Sequence, residues 1–163
     1  MAETLDVTSM LPNKFEPKRN TRWVLSIEGI DAFLIKKSAR PKYTTAEHSI
    51  SWINATRYIA GKTTFETMEV VITDAIAPSG AQQVMEWIRL HYESVSGRAG
   101  YADFYKRDVQ LKMLDPIGNV IELWDIKGAM LTSVTFGDLD YSADAAPMEI
   151  SLTIRFDNCI LQY

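Results

Sequence analysis

At 163 residues, with 47% hydrophobic and 23% charged side chains, the chain has the make-up of one globular domain, able to bury roughly 68–70% of its unfolded surface. Its net charge of −4 speaks against a module held on nucleic acid by phosphate contacts. The single cysteine, Cys159, excludes an intrachain disulfide and a multi-cysteine metal site, and its apolar neighbours Phe156, Ile160 and Leu161 predict a buried, inert thiol.

Met1–Met10 is polar and acidic, without the basic start and apolar stretch of a secretory leader, so synthesis in the cytoplasm is expected. No apolar run approaches the ~20 residues of a membrane-spanning helix. Residues 1–20 carry Pro12 and Pro17 and read as an extended lead-in, with a single domain expected over 21–163. The first predicted strand, Thr21–Glu28, places Trp23, Leu25 and Ile27 on one face. Gly29-Ile30-Asp31 then reads as a hairpin turn, with Ala32–Lys37 returning and Phe33 and Ile35 pointing inward.

The stretch from about 39 to 62 differs in kind. Pro41 breaks the pattern, and Tyr43–Ser51 and Trp52–Ala60 mix Thr, Ser, His and Asn with scattered apolar residues. This predicts a long two-stranded arm, half polar on both sides. Such an arm is marginal alone in water, so it either packs on its own domain or pairs with a neighbouring subunit. On the second reading Tyr43, Glu47, Trp52, Asn54, Arg57 and Tyr58 are the contact residues.

Thr63–Thr73 is expected to return to the core as a strand, with Met68, Val70 and Ile72 on one side and Phe65 and Val71 on the other. Ser79 and Gln82 make an S-x-x-Q capping box, and Val84, Trp87, Ile88, His91 and Val95 recur at helical spacing as far as a stop at Gly97. Strands follow at Asp108–Asp115 and Val120–Ile126 around a Pro116–Asn119 turn. Lys127-Gly128-Ala129 allows a bulge before Met130–Phe136. In the last strand Met148, Ile150, Leu152, Ile154 and Phe156 alternate with Glu149, Ser151, Thr153, Arg155 and Asp157, one dry face and one wet. The class is mainly β, an antiparallel barrel or sandwich of about eight strands with one flanking helix.

Chemistry-bearing patterns are sparse. His48 and His91 lie in different elements without metal-ligand spacing, and no nucleophile elbow, phosphate loop or H-E-x-x-H occurs. Asp138 and Asp140 read as turn acids satisfying backbone donors. Trp23, Trp87 and Trp124 fall in core patterns; Trp52, on the arm, reads as an interface anchor. Neither a catalytic set, a cofactor nor a metal is expected.

The order and spacing of several segments resemble the tail tube protein of contractile-tailed, T4-like bacteriophages over about Arg19–Asp157. They are R-N-T-R-W-V-L-S-I-E-G, the arm with its Y-I-A-G exit, F-E-T-M-E-V-V-I-T-D, V-M-E-W-I, D-I-K-G-A-M-L-T-S-V-T-F-G-D-L-D-Y and the final alternating strand. Secretion-system tube rings share that fold. The resemblance implies a non-enzymatic virion subunit that assembles in the host cytoplasm. Six copies would form a ring, and rings would stack helically inside a contractile sheath. Its implied partners are the tail sheath, baseplate and tape-measure proteins, with DNA passing down the lumen without specific binding. The wet face Glu149, Ser151, Thr153, Arg155 and Asp157 would then be lumen wall or outer surface, and an acidic lumen would keep DNA from adhering. A tube-initiating baseplate protein of the same fold and a monomeric ligand-binding barrel stand as alternatives.

Overall fold

The computed structural model describes residues 15–163; the first part of the expected lead-in, 1–14, lies outside the described residues. Residues 15–19 are exposed and irregular. Nine strands follow: β1 (Trp23–Ile27), β2 (Ile35–Ser38), β3 (Tyr43–Trp52), β4 (Ala55–Phe65), β5 (Met68–Thr73), β6 (Arg107–Leu114), β7 (Val120–Thr135), β8 (Glu149–Arg155) and β9 (Asn158–Leu161). Helix α1 covers Gly80–His91, and a single turn, α2, covers Ala102–Tyr105.

Seven strands form one antiparallel array in the order β1-β6-β7-β8-β5-β2, with β9 added beside β7. It folds into two layers because β7 belongs to both. The first half of β7 pairs with β6 on one side and β9 on the other; its second half pairs with β8. One layer is therefore β1-β6-β7-β9 and the other β7-β8-β5-β2. The bend comes where the bulge at Lys127–Ala129 was expected. There Gly128 adopts φ +67, a left-handed conformation that a side chain resists, and a Cβ at that site would run into the Asp157 carboxylate. What reads in sequence as two strands is thus one 16-residue strand with a hinge in it.

Alternation dictates the core. Leu25 and Ile27 of β1, Val109, Leu111 and Met113 of β6, and Met68, Val70 and Ile72 of β5 meet Ile150, Leu152 and Ile154 of β8 between the layers. Helix α1 closes one side with Val84 and Trp87. The Trp87 indole donates to the Tyr105 carbonyl at 2.7 Å, and the Arg107 guanidinium lies 4.9 Å from its ring centre.

The helix start follows the sequence: the Ser79 hydroxyl accepts from Gln82 N at 3.4 Å, and the Asp74 carboxylate accepts from Ala81 N at 3.1 Å. Its end does not. The helix stops at His91, Val95 is exposed outside it, and Gly97 closes the next turn by donating to Glu93 O at 2.8 Å. His91 is accordingly not buried; its ring meets Tyr105 edge-on at 4.9 Å.

Four further expectations are corrected. β1 and β2 are not a hairpin: they lie at opposite ends of the strand order, joined through Gly29 (φ +78) and a 3-10 turn at Ala32–Leu34. In that turn Leu34 is buried and Phe33 points out, 73% exposed. β4 runs on to Phe65, whose ring packs 5.5 Å from Phe156 at the core edge, so the chain breaks before Met68 instead of continuing as one strand. Asn158–Leu161 adds a strand where none was expected, because four residues are too few to display a period.

Candidate functional site

Among the described residues two features of this fold lack partners: the arm and the edges of the β7-β8-β5-β2 layer. The arm consists of β3 and β4, which among those residues pair only with each other. Every residue from Tyr43 to Ala60 is exposed, so the arm does not pack on its own domain. At about 3.3 Å per residue its 10-residue β3 extends roughly 33 Å. Register sorts side chains that looked evenly mixed. Trp52 opposite Ala55, Ile50 opposite Arg57 and His48 opposite Ile59 share one face; Ser51–Thr56, Ser49–Tyr58 and Glu47–Ala60 share the other. Ile50, Trp52 and Ile59 therefore form an apolar stripe open to water, at 50%, 73% and 48% exposure.

Of the expected contact residues, the structure puts Trp52 and Arg57 on this stripe's face and Glu47 and Tyr58 on the other. Tyr43 stands opposite Phe65 at the base, and Asn54 lies at the tip beside Ile53 (φ 52). The shift in register falls between Thr45 and Glu47, where Gly61 leaves room for the His48 ring; a Cβ there would come within 2.9 Å of His48 Cδ2.

The base of the arm is anchored by a group the sequence reading passed over. Glu122, only 3% exposed, sits on the inner face of β7 and accepts from Lys18 of the lead-in, from Arg40 just before the arm and from the Trp124 indole N–H. Arg40 also lies 5.9 Å from the Trp124 ring centre. Burial works against ionisation, but the hydrogen bonds from Lys18, Trp124 and Arg40 outweigh it and hold the carboxyl at about 2. Parity carried the signal: Glu122, Trp124 and Ile126 share one face of a strand, so a charge was bound to point inward with its partners.

The second feature is the outer face of the β7-β8-β5-β2 layer. Ser151 and Thr153 lie centrally, between Thr135 and Ser133 of β7 and Val71 and Glu69 of β5, and Glu149 pairs with Thr73. A bulge in β2 turns both Lys36 and Lys37 outward, and Lys36 bonds Glu149. Glu69 and Glu149 thus share this face with Lys36, Lys37 and Arg155, so it is hydroxyl-rich and near charge balance. Asp157 is not part of it. It lies beyond β8, takes Lys106 Nζ at 2.6 Å and packs over Gly128, and this hydrogen bond raises the lysine's pKa.

Both edges of the layer are free. Among the described residues, β2 pairs only with β5, and the second half of β7 only with β8. A cleft flanks each edge. One of about 560 Å³ lies between β1 and β2; the other, about 490 Å³, runs between α1 and β7.

Asp140 and Cys159 have local structural surroundings that account for them. Asp140 accepts from Ser142 N at 2.9 Å and Ser142 Oγ at 2.7 Å, which lowers its pKa. Burial, with the nearby Asp125 charge, pushes the Cys159 thiol up to about 11. Among the described residues no three His, Cys, Asp or Glu side chains gather as a metal site, and no helix is long and apolar enough to cross a membrane.

No protein-family model and no curated protein matches the sequence. Solved structures do match by shape. A chain of the sheath–tube complex of an extracellular contractile injection system superimposes with a TM-score of 0.67 at 14% identity, over 98% of this chain and 99% of that one. A chain of the terminating cap of the anti-feeding prophage tube gives 0.70 at 15% identity, over 97% and 99%. Hcp1 from Flavobacterium johnsoniae gives 0.51 at 13%, over 86% and 94%. The fold of this chain is the mainly β, antiparallel tail-tube type with one principal flanking helix.

Proposed function

We propose that this protein is a structural tube subunit of a contractile, phage-tail-like machine. Six copies close into a ring, and rings stack helically into a hollow conduit within a sheath anchored on a baseplate. The observation that carries this reading is the four-stranded β7-β8-β5-β2 layer with both edges free. Its neighbours are all antiparallel, so its two outer strands run in opposite directions. A rotated copy placed beside it continues the alternation, β2 of one against β7 of the next. A ring built this way leaves no edge exposed.

In such a ring the outer face of that layer becomes the lumen wall. Its serine and threonine hydroxyls and balanced charges give passing DNA no row of cations to exchange for counterions. The arm lies across a neighbouring subunit with its Ile50–Trp52–Ile59 stripe covered. Sheath, baseplate and tape-measure proteins are the partners, the virion or particle tail is the location, and the subunit performs no catalysis.

Electron microscopy of the purified protein tests the reading. Rings or tubes of constant width are expected, and a monodisperse monomer under all assembly conditions, with sheath or baseplate partners present, would sink it. A second reading is a ring that starts or ends the tube. It is favoured by the likeness to cap and baseplate chains, at TM-scores of 0.70 and 0.69. Single rings that never elongate would select it.

A further inference from the structure

We infer that the contact between ring neighbours is a knob in a groove: Phe33 of one copy seats in the cleft beside the free edge of β7 on the next. The inference rests on the tube reading and assigns it a specific contact.

The knob is held ready. Phe33 stands exposed in the 3-10 turn that leads into β2, one free edge of the layer. The turn is fixed from below by buried Leu34. It is fixed from the side by Asp31, whose N–H donates to Gln83 Oε1 at 3.1 Å and whose carboxylate accepts from Gln83 Nε2 at 2.7 Å. An aromatic ring displayed on an ordered turn loses little freedom when it is buried.

The groove belongs to the other free edge. Its walls are Trp87, Ile88 and His91 of α1, with Tyr105, and Val134 and Phe136 line the β7 side. The ladder brings knob and groove to the same end of the layer. Ile35 pairs with Ile72, and Ile72 with Ile150; Thr135 pairs with Ser151, which sets Phe136 level with Ile150. Joining β2 to the next copy's β7 in the antiparallel sense carries Phe33 toward Phe136.

One charge pair is available across the join. Lys37 follows the knob on β2 and Asp138 follows Phe136, and neither is in an ion pair among the described residues, whereas Lys36 is bonded to Glu149 and Asp140 to Ser142 of the same chain. The contact is heterologous, the kind that closes into a ring.

The test uses the full chain with Cys159→Ser. Mild oxidation of a Phe33→Cys/Phe136→Cys double variant should give a ladder of cross-linked copies, while each single variant should give at most dimers. Phe33→Asp should keep its circular dichroism spectrum yet weaken association by on the order of 30-fold or more, the scale of an interface hot spot. Phe33→Leu should assemble. If the unsubstituted protein forms tubes, but Phe33→Asp assembles normally and the double variant stays unlinked, the knob is wrong and the tube reading stands. Cross-linking of Phe136→Cys to Trp52→Cys, or within one chain to Leu5→Cys, would give the groove to the arm or to the lead-in and reject the knob. Absence of any ring or tube from the unsubstituted protein would reject both.

Discussion

Glu122 shows what one residue contributes here. A carboxylate on the dry face of a strand persists because three donors reach it, and two of them come from segments outside the strands: Lys18 of the lead-in and Arg40 at the foot of the arm. Its carboxyl titrates at about 2 when folded and near 4.5 when unfolded, a gap worth on the order of 3 kcal/mol. Because the folded value is the lower one, this stabilisation is complete above about pH 4.5 and is lost as pH falls toward 2. Glu122→Gln should therefore lower stability by roughly 2–3 kcal/mol at neutral pH. In urea titrations, the gap between the two proteins should close as the pH is taken from 5 to 2.5. A gap that stayed constant with pH would show that the carboxylate's charge is not what matters. Lys18 and Arg40 are half exposed, so replacing either should cost less than replacing Glu122.

At the scale of elements, the arm is independent and the layers are not. Among the described residues β3 and β4 pair with no other strand, so deletion of Thr44–Arg57 should leave a folded domain with little change in thermal midpoint. The same protein should no longer polymerise, as light scattering would record. Normal assembly of the deletion variant would remove the arm from the interface.

The arm was legible in sequence as an element because Pro41 and Gly61 bound a stretch of mixed Thr, Ser, His and Asn. Its apolar stripe was not, because the two-residue turn at Ile53-Asn54 decides which residues lie opposite, and composition carries no register. The dry face of the last strand was legible, since Ile150, Leu152, Ile154 and Phe156 alternate without interruption, but the strand itself spans Glu149–Arg155 and leaves Asp157 beyond its end. Gly29 announced a turn truly but could not announce what β1 would pair with, and β6 lies some eighty residues downstream. Locally encoded features came through; long-range pairing did not. The same boundary separates Phe33, expected inward by strand parity, from the exposed ring on a 3-10 turn.

For the molecule as a whole, the decisive element is β7, the one strand shared by both layers. Its hinge at Gly128 requires a left-handed residue with no side chain, lying under Asp157. Gly128→Ala should therefore destabilise the fold by about 1–3 kcal/mol. Both layers should melt together, in one transition by near- and far-ultraviolet circular dichroism. A change below about 0.5 kcal/mol would mean the hinge is readily rebuilt.

A strand that crosses from one layer to the other also has a mechanical meaning. Sliding the layers past each other would strain a covalent backbone and shear the hydrogen bonds that β7 makes on both sides of the hinge. Such a unit is stiff against shear. In the tube proposed above, thrust received on the outer layer would reach the inner wall along β7 itself, and the bore would keep its shape under load.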